Sequence, residues 1–363
     1  MRFLHMADMH FDSSFVLGSN SKIGEKMRLN KRKVFSKVVE YVRERNIPYF
    51  FISGDLYEQE NIRKSTIEFI NKEFEKIPNT HIFIVPGNHD PYLKNSYYQK
   101  FNWNKNVHIF TKELKRLEFD GVDIYGYGFE DYYMENPYKK IEIKNKNKLN
   151  ILLTHGNLDM ISDKNKPYND LKTEELNKLG FDYIALGHIH KPYYKEYENQ
   201  NIVYPGSTVS NGFDELGEHG VIVGTLLKEG SSSNLKLEFL SLDNMEFIKT
   251  YVDITKMNSN EEIIESLNDM KLDNSKFYEI SLVGKRNFEI DRRKVLDLIE
   301  KEEILKIKDD TELGINIEKL ANSNTLKGIF AKNILRKMKN NEITEEEKNS
   351  LERVLEIGLE VLK

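Results

Sequence analysis

Cysteine is absent from the 363 residues. That absence excludes disulfides, thiolate metal sites and a cysteine nucleophile, and it suits a reducing compartment. Long apolar runs are missing too. No stretch approaches the length that crosses a bilayer, and the opening Met1-Arg2-Phe3-Leu4-His5-Met6-Ala7-Asp8 has too few apolar residues for a secretory leader. Together these absences predict a soluble cytoplasmic protein without a membrane partner. An excess of positive charge is also lacking. The formal net charge of −5 argues against a strongly basic nucleic-acid coat. It does not exclude a nucleic-acid substrate, because metal ions or lysines gathered on one face supply positive charge locally.

What is present is a chain long enough for two or three domains. Residues 2–7 read as a first strand ending at Asp8-Met9-His10. A helix is predicted over Lys31–Arg45 from the stripe Val34, Val38, Val39 and Val42, and Asn46-Ile47-Pro48 breaks it. Tyr49–Ser53 is a buried strand stopped by Gly54-Asp55. A second helix spans about Arg63–Lys76, and the strand Ile82–Val85 is stopped by Pro86-Gly87. This strand and helix alternation predicts an α/β core with its chemistry on the loops at one sheet edge. From Val107 the expected pattern changes to hairpins, the clearest being Leu114–Phe119 and Val122–Tyr127 around Asp120-Gly121. Strands follow at Asn150–Thr154, Tyr183–Leu186, Tyr193–Tyr197, Ile202–Tyr204, Gly220–Leu227 and Leu235–Leu242, with a helix at Thr173–Leu179 closed by Gly180.

The expected body is therefore a sandwich of two sheets with helices outside, over residues 1–245. Residues 246–315 read as a small α+β domain: strands 247–254, 277–284 and 303–309 alternate with helices 260–270 and 291–300. Residues 316–363 read as an αα-hairpin. Leu326, Ile329, Phe330, Ile334 and Met338 repeat at helical spacing, Asn340-Asn341 is a turn, and Thr344-Glu345-Glu346-Glu347 is a capping box opening the last helix.

The strand ends carry the chemistry. They read Asp8-x-His10, Gly54-Asp55, Gly87-Asn88-His89-Asp90, His155-Gly156 and Gly187-His188-x-His190, and they hold five of the nine histidines. One such residue is usually structural; five strands repeating the pattern is a site. Strand alternation is expected to turn both members of Asp8-x-His10, and of His188-x-His190, to one side. Carboxylate, imidazole and amide without sulfur suit Mn²⁺ first, with Fe²⁺ or Zn²⁺ as alternatives, over Mg²⁺ alone. The candidate ligands Asp8, His10, Asp55, Asn88, His155, His188 and His190 exceed the needs of one ion. Two ions sharing a carboxylate account for them, the usual device for phosphoester displacement.

The ordered set resembles the calcineurin-like metallophosphoesterase superfamily. Its spread over residues 8–190, with Gly54-Asp55-Leu56-Tyr57, Gly187-His188-Ile189-His190 and Tyr204-Pro205-Gly206-Ser207, resembles the SbcD-type nuclease subunits of double-strand-break repair. The resemblance is strong over about the first 245 residues. One departure is Phe11-Asp12-Ser13-Ser14, where many SbcD subunits read Leu-Gly.

The resemblance implies a four-layer α/β sandwich, a cap-like α+β domain and a two-metal phosphodiesterase acting on DNA, as exonuclease and as single-strand endonuclease. It implies one metal on Asp8, His10, Asp55 and His190, and a second on Asp55, Asn88, His155 and His188, with Asp55 bridging and an activated water as nucleophile. His89 would act as acid on the leaving 3′ oxygen, and Glu58 would orient it. Asp90 is expected to fix its own loop. An SbcC-type ATPase docking on the C-terminal helices and a homodimer are implied partners. The rival readings are a superfamily member cutting a small phosphodiester such as a cyclic nucleotide, or a phosphomonoester, and a scaffold with a vestigial site. The complete ligand set argues against the last.

Overall fold

The computed structural model describes all residues except 15–20, 137–140, 161–165, 194–200, 231, 315–316, 340–343 and 363. The chain divides into two compact units, Met1–Glu246 and Phe247–Lys363. In the first, β1 (Arg2–Met6), α1 (Ser21–Glu44), β2 (Tyr49–Ser53), α2 (Lys64–Phe74), β3 (His81–Val85), α3 (Tyr97–Lys100) and β4 (Val107–Ile109) come first. They are followed by β5 (Lys115–Phe119), β6 (Val122–Gly126), β7 (Leu149–His155), α4 (Thr173–Leu179), β8 (Tyr183–Gly187), β9 (Ile202–Val203), β10 (Val221–Glu229) and β11 (Ser232–Leu240).

One sheet has the order β11-β10-β1-β2-β3-β4 and the other β5-β6-β7-β8-β9. Their facing sides share one core, in which Phe3, Phe51 and Phe83 of the first sheet meet Ile151, Leu153 and Tyr183 of the second. On the far side of the first sheet Leu4, Phe50 and Ile84 pack against Val38 and Val42 of α1 and Ile70 of α2. On the far side of the second, Leu152 and Ile184 pack against Leu176 of α4. Helix, sheet, sheet and helix thus form four layers, the architecture the resemblance implies.

Three features of this unit differ from the sequence-based expectation. The second sheet is not a run of hairpins: β5 and β6 form the Asp120-Gly121 hairpin, but β6, β7, β8 and β9 pair in parallel. Their strands are buried along their whole length, and burial on both faces is what makes a parallel sheet feasible. Helix α1 starts at Ser21 instead of Lys31. Ile23 and Met27 do continue its buried stripe, yet the stripe is interrupted by Lys31, a cation at a core position and only 1% exposed. Its Nζ donates to the His10 carbonyl (2.6 Å) and the Ser13 hydroxyl (2.8 Å), so the break in hydrophobicity is a polar contact and not a helix boundary. Of the expected strand Tyr193–Tyr197, Tyr193 makes a single bridge to Tyr204 and 194–197 lie outside the described residues.

Between the sheets a buried network predicts a pH effect. The Ser53 hydroxyl donates to the Ala185 carbonyl (3.2 Å) and accepts from His5 Nε2 (2.9 Å), leaving His5 Nδ1 to accept from the Tyr183 hydroxyl (2.9 Å). Burial holds the His5 imidazole neutral, lowered to about 3. The unfolded chain takes up that proton below about pH 6.5. The contribution of this neutral imidazole is therefore complete above pH 6.5 and shrinks as pH falls toward 3. Between pH 6.5 and 5 the loss is about 2 kcal/mol. Urea unfolding of metal-free protein at the two pH values reads it, and His5→Gln is expected to lose less over that interval than the wild type. Equal losses would remove the argument.

The second unit holds β12 (Glu246–Asp253), α5 (Asn260–Asn268), β13 (Lys276–Val283), β14 (Lys285–Arg286), α6 (Arg292–Leu298), β15 (Ile304–Asp309) and β16 (Glu312–Leu313). It ends with α7 (Ile317–Ala321), α8 (Leu326–Met338) and α9 (Glu345–Val361). The sheet β12-β13-β15 is covered by α5 and α6 through Ile263, Leu267 and Val295 against Ile280, Leu282 and Ile307. The Thr344–Glu347 capping box forms as expected, and Ile334 of α8 packs with Leu355 and Leu359 of α9. Leu326, Ile329 and Val354 stay exposed. The expected Asn340-Asn341 turn lies outside the described residues.

Candidate metal centre

Register explains why the polar strand ends meet. Met6 pairs with Ile52, and Ser53 with Val85, so Asp8, Asp55 and Asn88 follow side by side beyond β1, β2 and β3. In the other sheet His155 pairs with Gly187, which brings His155 level with His188 and His190 beyond β8. The two edges approach closely at two glycines. A side chain at Gly187 would occupy the Ser53 carbonyl, and one at Gly54, whose φ is +87°, would run into the His155 ring.

Alternation is not what aims the paired ligands. The strands stop at Met6 and Gly187, and Asp8 (φ 51°), His10 (φ 48°), Asp55 (φ 51°) and His188 (φ 108°) lie at positive φ. Such conformations cost energy for residues with a side chain and persist where the surroundings hold them. Here the holding bonds run from the backbone N–H groups of Asp8, His10 and Phe11 to the carbonyls of Gly54, Asp55 and Leu56 (2.9–3.1 Å).

Three groups of potential ligands result: Asp8, His10 and His190 in the first, Asp55, His155 and His188 in the second, and His10, Glu58 and His89 in a third. In the first, His10 Nδ1 donates to Glu58 Oε1 (2.7 Å) and His190 Nδ1 to Glu215 Oε2 (2.9 Å). The two Nε2 atoms then face each other at 3.1 Å. In the second, His155 Nδ1 donates to the Ser53 carbonyl (2.8 Å), and its Nε2 faces Asn88 Oδ1 at 3.1 Å and Asp55 Oδ2 at 3.3 Å. Asn88 Oδ1 is also 3.1 Å from His188 Nδ1.

Where these imidazoles are neutral, lone pairs converge at these distances, and a proton on the facing ring nitrogen or a bound cation removes their repulsion. About 3.0–3.4 Å is the spacing of neighbouring ligands around a cation bonded at about 2.1 Å. The donor set therefore fits divalent metal. Asp55 joins the first two groups: Oδ2 is 3.3 Å from His155 Nε2 and 3.8 Å from His10 Nε2, while Oδ1 accepts from the His89 backbone N–H (2.8 Å).

Among the protein groups alone, charges compensate. Burial would raise the Asp55 carboxyl, but His155, His10 and His89 hold it well below the carboxylate range. Burial raises Asp8 despite His155, His190 and His10. Burial would lower His155, yet Asp55 outweighs it and raises the imidazole to about 9. Burial lowers His188 to about 3.

His89 lies outside the first two groups and shares the third with His10 and Glu58. Its backbone follows Asn88, and its side chain, about half exposed, donates from Nδ1 to Glu58 Oε2 (2.9 Å). That bond is the main cause raising His89 to about 9. Glu58 bonds His10 and His89 together, one carboxylate oxygen to each; burial would raise it, but the two histidines hold it at about 2. Asp90 fixes its own loop and more: it accepts from the backbone N–H groups of Gly87, Asp55 and Leu56 and from the Tyr98 hydroxyl.

The sequence reading missed Glu215, Lys31 and an aromatic wall. Glu215 sits beside Asp214 between Gly212 and Gly217, where acids in a turn carry no periodic signal. A cavity of about 450 Å³ is lined by Asn88, His89, Glu58, Glu60, Tyr132, Tyr133 and Tyr168. The aromatics that follow the Asn88-His89-Asp90 loop in sequence are not part of this cavity's lining: Tyr98 is buried, and Tyr92, Tyr97, Phe101 and Trp103 pack against the core of the first sheet's outer face.

A family model of calcineurin-like phosphoesterases matches residues 1–192, and the chain belongs to this family of metal-dependent phosphoesterases. It is 27% identical over 281 residues to the "Uncharacterized metallophosphoesterase YhaO" of Bacillus subtilis (strain 168), covering 74% of this chain and 67% of that protein. It is 25% identical over 252 residues to the SbcD subunit of the nuclease SbcCD of Staphylococcus epidermidis, covering 60% of this chain and 64% of that protein. The aligned stretches thus span about two thirds of each relative. Among solved structures, the crystal structure of TT1561 of Thermus thermophilus overlaps 57% of this chain and 89% of its own at a TM-score of 0.32 and 10% identity. Among the described residues no helix is long and apolar enough to cross a membrane.

Proposed function

We propose that this chain is a two-metal phosphodiesterase that cuts DNA at ends, as an exonuclease and on single strands as an endonuclease. The observation that carries the reading is Asp55 Oδ2 lying between His155 Nε2 and His10 Nε2, each ring tied down through its other nitrogen. Asp8, His10, Asp55 and His190 would hold one cation and Asp55, Asn88, His155 and His188 the other, with Mn²⁺ favoured by the mixed nitrogen and oxygen donors and Fe²⁺ or Zn²⁺ as alternatives. Bound cations lower the pKa of the attacking water and offset charge on the phosphate oxygens.

The chain's own groups do the rest. His89, carrying a proton near neutral pH, faces the cavity. As water forms the new P–O bond and the bond to the 3′ oxygen breaks, His89 gives its proton to that oxygen and regains one from solvent. Glu58 keeps the ring oriented and favours its protonated form.

DNA as the substrate is supported by the likeness to the SbcD subunit and by the spread of motifs over residues 8–190. In this reading residues 1–245 form the catalytic body, 246–315 a cap-like DNA-binding domain and 316–363 a hairpin that docks an SbcC-type ATPase, and the chain acts as a homodimer. The test is incubation with Mn²⁺ and end-labelled single- and double-stranded DNA. Cleavage that EDTA abolishes is expected. No cleavage, together with metal-dependent hydrolysis of bis-p-nitrophenyl phosphate, would move the substrate to a small phosphodiester.

Glu215 provides a separate prediction. It orients His190 and also accepts from the Ser207 hydroxyl (2.7 Å) and the Asn211 backbone N–H (3.0 Å). Removing a carboxylate partner of a metal-bound imidazole weakens the metal about 10- to 100-fold. Glu215→Gln is expected to weaken one of two Mn²⁺ sites by that factor in equilibrium dialysis and leave the other intact. Two unchanged affinities would refute the assignment.

A further inference from the structure

We infer that the tyrosine wall beside His89 is a subsite for an unpaired nucleobase, seated next to the phosphate that is cut; the inference rests on the phosphodiesterase reading above and names what flanks its substrate. Tyr132 and Tyr133 are 37% and 41% exposed, which leaves two large aromatic faces in water at the mouth of the site. They form a row. The Tyr133 and Tyr168 rings lie 5.6 Å apart, and Tyr168 in turn stacks on the His188 ring at 5.4 Å and 29°.

The row is prebuilt. The Met134 backbone N–H donates to the Pro167 carbonyl (2.9 Å), that of Asn169 to the Met134 carbonyl (2.8 Å) and that of Asn157 to the Tyr168 carbonyl (3.1 Å). The segments bearing Tyr133 and Tyr168 therefore hold each other, and an incoming ring finds its platform already ordered.

Charge decides what the platform takes. Glu60 lines the cavity near Tyr132, so an anionic phosphate is repelled from the tyrosines, whereas Glu58 is paired with His89. A neutral flat ring with N–H groups on its edge suits both the aromatic faces and the carboxylates. A cavity of about 450 Å³ falls within the usual range for a small ligand. A base inside a duplex has both faces covered by its neighbours. The wall therefore selects bases that are unpaired or terminal.

Two kinds of molecule carry such a ring beside a phosphate, a DNA strand end and a free nucleotide, and the test separates them. In the Mn²⁺-loaded protein, dAMP and 2-deoxyribose 5-phosphate compete against hydrolysis of bis-p-nitrophenyl phosphate. Loss of one stacked base costs roughly 5- to 150-fold in affinity, so dAMP is expected to compete better by that factor. Tyr132→Ala and Tyr133→Ala each reduce the preference, and Tyr133→Phe retains it. In parallel, a single-stranded phosphorothioate oligonucleotide ending in 2-aminopurine is expected to lose fluorescence on binding, and less so with Tyr133→Ala.

Equal competition by the two phosphates, or a preference and quenching that survive both alanine variants, overturns the subsite. These arms do not require DNA to be cut. A preference for dAMP without oligonucleotide quenching or DNA cleavage keeps the subsite and assigns it to free nucleotides, so it is the DNA-end reading that fails. DNA cleavage without the preference removes the subsite alone.

Discussion

Asp55→Asn is expected to lower metal-dependent phosphodiester hydrolysis by about a hundred- to a thousandfold, the scale of losing one preorganised electrostatic contact at a reacting centre. The change preserves size and still offers the His89 backbone N–H an acceptor. It removes the charge shared by the first two ligand groups and sets a neutral amide between His10 and His155. Mn²⁺ bound per chain is expected to fall from two to one or none in equilibrium dialysis, with far-UV circular dichroism unchanged. A variant that keeps both ions would show that Asp55 is not the shared ligand.

His89→Ala separates chemistry from metal binding. Loss of a general acid costs about 10²- to 10⁴-fold, and DNA cleavage is expected to fall by that factor while both Mn²⁺ affinities stay at wild-type values. Bis-p-nitrophenyl phosphate is the informative control. Its leaving group departs as a stable anion and needs no proton, so its hydrolysis is expected to fall far less. Equal losses on the two substrates would mean that His89 binds phosphate without donating a proton. Loss of metal would mean that the Asp55 carboxylate depends on the His89 backbone bond to stay in place.

Much of the site was legible because its residues sit where buried strands stop. Asp8, Asp55, Asn88 and His89 follow β1, β2 and β3, His155 ends β7, and His188 and His190 follow β8, and each stop is written locally in glycines and polar residues. The layered α/β body was legible for the same reason, from alternation of strands and helices. What escaped depends on contacts between segments distant in sequence. Glu215 reaches His190, and Lys31 reaches His10 from the middle of a helix. Tyr133 and Tyr168 meet through backbone bonds between two loops. The left-handed backbone at Asp8, His10 and His188 is imposed by neighbouring strand ends, so the expected alternation gave a converging site for the wrong geometric reason. Parallel pairing in the second sheet is likewise a property of burial on both faces, which apolar runs of five residues do not distinguish from a hairpin strand.

The most direct measurement is a titration of metal-free protein with Mn²⁺ while hydrolysis of bis-p-nitrophenyl phosphate is followed. The two-metal account predicts no hydrolysis in EDTA, and a rate that rises and levels off once two equivalents are bound. Full activity with a single equivalent, or hydrolysis that persists in EDTA, would contradict it.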